Sequence, residues 1–328
     1  MLRPLALVLT ASALAACATA QPGDPAAFRR LVPADAEAEI LADGFTWAEG
    51  PLWRPASGDL LFTDVPENTV YRWSEAEGLS VYLRPSGLAV GTGEGMREVG
   101  GNGLALDAEG HLIIADSGTR TVMRVGDRFV RDTLAATYGG RRFNSPNDLA
   151  VHASGALFFT DPPYGLAGID DSPLKEQPHN GVYRLDPDGT VTLLVDDLTR
   201  PNGIALSPDQ RTLYVANSDP EAAVWMAYPV EGDLGLGEGR VLFDATAWVG
   251  PDRPGNADGM AVAADGTLFA TGPGGVLVLT PDGEYLGTIS TGRATANCAF
   301  GGTDGRTLYM TAANTLQRIR LGVRGAGF

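Results

Sequence analysis

The chain has 328 residues and a formal net charge of −16, with 44% hydrophobic and 20% charged residues. That is too long for a minimal domain and too apolar for wholesale disorder. The acid excess argues against nucleic acid and against electrostatic docking on anionic lipid, which need clustered Lys and Arg. The 43 glycines and 22 prolines follow no G-x-y period, so they indicate many tight turns rather than collagen. Two cysteines, Cys17 and Cys298, exclude a disulfide framework.

The N-terminus reads as an export signal. Arg3 supplies the basic start, residues 5–16 are apolar and small, and the run ends Leu14-Ala15-Ala16-Cys17. This stretch is too short to span a bilayer. Its placement of cysteine matches the bacterial lipobox, so residues 1–16 are expected to be a lipoprotein signal peptide and Cys17 the lipidated first residue. An ordinary signal peptide with an incidental cysteine is the alternative. Residues 17–35 are small and polar and read as a flexible tether. The expected location is the periplasmic face of the cell envelope, on the outer membrane. The lipid would be the only membrane contact, and a monomer is expected.

From there one pattern recurs. A polar residue, usually followed by Gly, opens a short apolar alternation, then a turn, then a second apolar run. It starts at Glu49, Asn102, Asn147, Asn202, Asp258 and Asn297. Intervening pieces such as 69–73, 182–185 and 191–195 also read as strands, and no segment sustains a helical period. Six units of four short strands predict an all-β, six-bladed β-propeller over residues 36–328. A β-solenoid or sandwich is the minor alternative. Long loops are expected at 85–100, 162–180 and 247–256.

In a propeller the start of each innermost strand approaches the central axis. All six starts carry a carboxylate or carboxamide. A ring of hard oxygen donors suits Ca²⁺ or another divalent cation, and Glu49 with Asp258 would neutralise its charge. Against this, Asn-Gly and Asp-Gly are ordinary turn dipeptides, though that does not explain Glu49-Gly50 or the shared register.

The segments AEGPLW at 48–53, NSPNDLAV at 144–151, PNGIALSPD at 201–209 and ADGMAV at 257–262, with LFFTDPPYGL at 157–166, carry a resemblance over nearly the whole chain. The sequence resembles the gluconolactonase, senescence-marker-protein and luciferin-regenerating-enzyme family of six-bladed propellers. The resemblance implies a central divalent metal held by Glu49, Asn147, Asn202 and Asp258, with Asn147 able to serve metal or substrate. It implies hydrolysis of sugar-acid lactones. Calcium fits an all-oxygen set best, with zinc or manganese as alternatives. Ser145 stands where sugar-lactonase members often carry an arginine, which leaves Arg141 and Arg142 as the nearest replacements.

The chemistry then follows. A lactone carbonyl polarised by the metal is attacked by water. Asp258 is the candidate catalytic base, and metal activation of the water is the other route. Asn102 and Asn147 are expected to bind substrate, with Tyr164 shaping the rim and His179 overhanging the pocket. Asn297 reads as structural, Cys298 as a buried inert thiol, and His111 and His152 as turn residues. The absence of G-x-S-x-G disfavours a serine hydrolase. The alternatives are a phosphotriesterase-type hydrolase on the same site and a non-enzymatic envelope binding propeller.

Overall fold

The computed structural model describes residues 23–89 and 91–328. Residues 1–22, with the expected signal peptide and Cys17, lie outside the described residues. Among these, six four-stranded antiparallel sheets form the blades of a propeller. Blade 1 comprises Ala48–Arg54, Asp59–Asp64, Thr69–Ser74 and Gly78–Leu83. The innermost strands of blades 2 to 6 are Gly101–Leu106, Leu149–Val151, Pro201–Leu206, Met260–Val262 and Thr295–Gly301. Each inner strand packs beside those of the neighbouring blades, and blade 1 meets blade 6, so the ring is closed.

Closure uses both ends of the chain. Glu39–Asp43, before blade 1, is the outermost strand of blade 6 and pairs antiparallel with Thr315–Arg320. The ring therefore has no free seam between its first and last blades. The core lies between blades rather than in one centre, as face-to-face sheets require. Trp53 of blade 1 stacks on Tyr309 of blade 6 with ring centroids 5.7 Å apart. Trp225 of blade 4 is fully buried against the apolar face of blade 5.

The expected tether is structured over much of its described length. Asp24 accepts hydrogen bonds from the N–H groups of Ala26 and Ala27, and Pro25 opens a helix, α1, over Pro25–Leu31. This is a good N-cap followed by a proline pre-set for the first turn. Phe28 lies on Gly287 of blade 5, where any Cβ would sit 2.5 Å from its ring. Val32 is buried, and the Leu31 carbonyl accepts the Gly322 N–H at 2.8 Å. Seven residues are too few to show a helical period or to be stable alone, so docking holds this helix.

The axial residues sit at irregularities in the ladder. Register shifts occur at Glu49/Leu52, Gly101/Leu104, Pro201/Ile204 and Thr295/Asn297. Bulges of this kind re-aim side chains, here at the blade end nearest the axis. The glycine that follows an axial residue has its own cause. A Cβ on Gly50 would lie 2.2 Å from the Asn102 carbonyl oxygen, and one on Gly203 would lie 2.2 Å from that of Asp258. At these two positions the X-Gly pair reflects backbone packed on backbone around the axis, while a Cβ on Gly259 would meet the Asn297 side chain.

Candidate active site

Glu49, Asn102, Asn147, Asn202 and Asp258 meet at one end of the channel, lining a cavity of about 490 Å³. Asn297 does not join them. It lines a separate cavity of about 440 Å³ formed by positions further along the inner strands, and its Oδ1 accepts the Cys298 N–H at 2.8 Å. Of the six repeat starts, five face the first cavity and one is turned to the other.

In blades 1, 3 and 4 their placement is built by the second strand. The Asp64 carboxylate accepts the N–H groups of Thr46 and Trp47, just before Glu49, at 2.9 and 3.1 Å. Asp161 accepts those of Asn144 and Ser145, just before Asn147, at 2.7 and 2.8 Å. Asn217 Oδ1 accepts the Arg200 N–H, just before Asn202, at 2.7 Å. In blades 1 and 3 a threonine one residue earlier reaches the next blade: the Thr63 hydroxyl donates to the Asn102 carbonyl and that of Thr160 to the Asn202 carbonyl. Thr271 donates to the carbonyls of Gly259 and Ala296. The Thr-Asp pair that ends the second strand of blades 1 and 3 is therefore the sequence trace of the residues that fix the site there.

Electrostatics single out the same place. Glu49 is 4% exposed, and its Oε2 accepts the adjacent Gly50 N–H at 3.1 Å. Asp258 Oδ1 is cut off from solvent and has no hydrogen-bond partner among the described residues. Burial first, and then the neighbouring carboxylates, raise both acids well above the ordinary range. A third acid, Asp148, lies beneath them. Burial lifts it to about 6, against the N–H groups of Leu149 and Ile204. Its position directly after Asn147, where four of the other five blades carry glycine, was its trace in the sequence.

The loops at 85–100 and 162–180 wall the cavity and are joined to each other. The N–H groups of Arg97 and Glu98 both donate to the Gly165 carbonyl, and Ala167 N–H donates to Gly95. Met96 bridges Leu166. Tyr164 lines the cavity and donates to the Ser218 carbonyl at 3.1 Å, and burial pushes its phenol up to about 12. Asn256 Nδ2 donates to the same carbonyl at 2.7 Å, tying the rim of blades 3, 4 and 5 together.

Two expectations about this wall are corrected. His179 does not line the cavity. Its Nε2 is 2.9 Å from the Tyr183 hydroxyl, in the third strand of blade 3 and away from the axis. Its backbone carbonyl is held by Asn144 Nδ2 and Lys175 Nζ, which directs the loop outward. Arg141 and Arg142 form an exposed two-residue strand rather than a replacement for the missing arginine. The cations at the cavity are Arg97 and Arg200, the latter 2.5 Å from Asp170. Ser145 is occupied inside the loop, donating to the Pro162 carbonyl and accepting the Gly165 N–H.

Remote groups have local explanations. Asp107, Glu109 and His111 cluster in a blade 2 turn, where Asp107 accepts the N–H groups of Glu109 and His111. That is turn chemistry. His152 lies in an exposed turn against Ser154. Cys298 is a buried free thiol, raised further from ionisation by burial. No described helix is long and apolar enough to cross a membrane.

The fold and site define a six-bladed propeller with buried axial acids beneath a solvent-reaching cavity. The SMP-30/Gluconolactonase/LRE-like region matches residues 47–314, and the chain belongs to that family. It is 42% identical to a gluconolactonase of Zymomonas mobilis over 288 residues, 86% of this chain and 80% of that one. A solved gluconolactonase from Xanthomonas campestris superposes with a TM-score of 0.77 at 31% identity, covering 92% of this chain and 98% of that one. A calcium-binding regucalcin from Agrobacterium tumefaciens, at 23% identity and TM-score 0.69 over 89% of this chain and 95% of that one, shares the fold.

Proposed function

We propose that this enzyme is a lactonase that opens a sugar-acid lactone in the axial cavity, using a divalent cation held by Glu49, Asn147, Asn202 and Asp258. The observation that carries the reading is the burial of Glu49 and Asp258 together, with Asp258 Oδ1 unpartnered. Two buried like charges are costly unless a cation compensates them. The donors are two carboxylates and two carboxamides, all oxygen, which suits calcium best. The kinship with a gluconolactonase at 42% identity supports the reaction class.

When bound, the cation supplies Lewis-acid polarisation of the lactone carbonyl and stabilises charge developing on its oxygen. The chain's residues do the rest. Asn102 and the half-buried face of Tyr164 bracket the space beside the axial acids and orient sugar hydroxyls. Asp258 takes a proton from the attacking water as its oxygen bonds to the carbonyl carbon. The ring C–O bond breaks, and the ring oxygen takes back the proton held by Asp258 to leave as a hydroxyl of the open acid.

The test is acid release from a panel of aldonolactones by chelator-stripped protein, with Ca²⁺, Zn²⁺, Mn²⁺ and Mg²⁺ added back separately. Restored turnover that is lost in Asp258→Asn supports the reading. No release with any pair overturns it. For the leader, we propose export and lipidation at Cys17, anchoring a monomer to the outer membrane. Failure of Cys17→Ser to abolish fatty-acid labelling would refute that anchor.

A further inference from the structure

Ile169 lies on the loop at 162–180 and lines the active-site cavity. Its φ is +54°, in the left-handed region that strains any L-residue and strains a β-branched one most. Eight non-glycine residues among those described have a positive φ. Ile169 alone of them is β-branched, and it alone lines this cavity. The residue before it, Gly168, is also left-handed, at φ +86°, and there the sequence does supply glycine. At position 169 it keeps a bulky apolar side chain where glycine or asparagine would sit without strain.

The loop is held in this shape from both sides. Ile169 N–H donates to the Leu166 carbonyl at 3.1 Å, and Leu166 is fully buried and bridged to Met96. Asp170, next in the chain, lies 2.5 Å from Arg200, and it accepts a hydrogen bond from Asn180 Nδ2 at 3.0 Å. Backbone strain persists only where the surroundings enforce it, and it gathers at ligand clamps and active sites. The side chain does not pack a core in exchange, since it belongs to none of the apolar clusters between the blades. With Trp47, Tyr164 and Pro220 it supplies apolar lining to a cavity whose axial groups are carboxylates and carboxamides.

We propose that Ile169 is a further substrate-binding residue, whose side chain seats the C–H face of the lactone while the ring's hydroxyls and carbonyl turn to the axial groups. This rests on the lactonase reading above. A sugar lactone suits such a lining because equatorial hydroxyls project from the ring edge and leave C–H groups on its faces. Apolar surface with a few placed polar groups is how small-molecule cavities fix orientation. The left-handed backbone is retained because it brings a branched apolar group to the cavity from a loop that the axial strands do not supply.

The experiment compares the purified protein with Ile169→Asn and Ile169→Val, with metal present. Asparagine accepts the left-handed backbone and removes the apolar contact, whereas valine keeps the branching, the strain and most of the contact. For an aldonolactone, KM of the asparagine variant should rise about tenfold with kcat within about threefold, the pattern of a contact made equally in ground and transition states. Its Tm should equal or exceed that of the parent, because strain is relieved. Calcium affinity by titration calorimetry, and KM of the valine variant, should each stay within about threefold of the parent. A residue that only packs the loop would behave otherwise, so a Tm lowered by more than about 3 °C in the asparagine variant overturns the proposal. An unchanged KM, or a KM raised equally by valine, also overturns it. A parent that opens no lactone overturns the lactonase reading and this contact with it, whereas an active parent with an indifferent Ile169→Asn variant overturns the contact alone. If the asparagine variant does not fold, Ile169→Gly, which also fits the left-handed region, is held to the same KM and kcat split.

Discussion

The Thr160 hydroxyl of blade 3 lies 2.6 Å from the carbonyl oxygen of Asn202 in blade 4, donating across the blade boundary to an axial residue. Thr63 makes the same contact to Asn102 at 3.0 Å. Each blade thus helps to place its neighbour's contribution to the cavity, and the site depends on the ring being closed.

Thr160→Val keeps the shape and deletes this bond, leaving a buried carbonyl short of a donor. A loss of about 1–3 kcal/mol of stability is expected. Urea unfolding measures it, and calcium affinity should fall in the same variant because Asn202 is no longer pinned. An unchanged affinity would show that Asn202 is set by its own strand alone.

Gly203→Ala would bring a Cβ to 2.2 Å from the Asp258 carbonyl oxygen, with backbone on both sides and no flexible side chain to yield. Overpacking of this kind costs about 1–3 kcal/mol or more. The expected outcome is a lowered melting temperature together with weakened metal binding. A variant with parental stability would contradict the close packing at the axis.

The two faces of the ring separate in kinetics. Asn102→Ala should raise KM about tenfold, equivalent to about 1.4 kcal/mol. Asn297→Ala should leave kcat/KM unchanged while costing about 1 kcal/mol of stability, since its Oδ1 serves the Cys298 N–H. His179→Ala should leave KM unchanged, because the side chain rests against Tyr183. A rise in KM for His179→Ala would return that residue to the cavity.

Stability of the metal-free protein should fall as pH rises. Burial lifts Asp161 to about 7 and Asp116 to about 6, from an ordinary value of 3.8. The folded state therefore binds more protons than the unfolded state between these values, and stability declines with increasing pH across that window. The contribution is fully present below about pH 4 and lost by about pH 7. Unfolding free energies measured in chelator from pH 4.5 to 8 should decline. A flat or rising profile would show that these carboxylates are ionised at no cost.

Much of this was legible in the sequence, because the propeller repeats its grammar. The X-Gly starts marked the inner strands, and their polar residues marked the axis. What was hidden has physical reasons. His179 sits beside an Asn-Gly pair that looks like a rim turn, but its backbone carbonyl is held by the distant Asn144 and by Lys175 of its own loop, and its ring rests against Tyr183. Helix α1 is seven residues long and draws its stability from Phe28 packing on blade 5. Glu98 and Arg97 come from a long loop with no period, and only its contacts with the 162–180 loop bring them to the cavity. Asn297 obeys the repeat yet lines the other cavity, where its Oδ1 accepts the Cys298 N–H.

The central claim is that Glu49 and Asp258 hold one divalent cation between them. Titration calorimetry of calcium into chelator-stripped protein tests it most directly, run in parallel on Glu49→Gln and Asp258→Asn. The account predicts one ion per chain in the parent, with binding weakened by at least about 100-fold in either variant, about 2.7 kcal/mol. Parental affinity in both variants, or no binding by the parent of calcium, zinc or manganese, would contradict it.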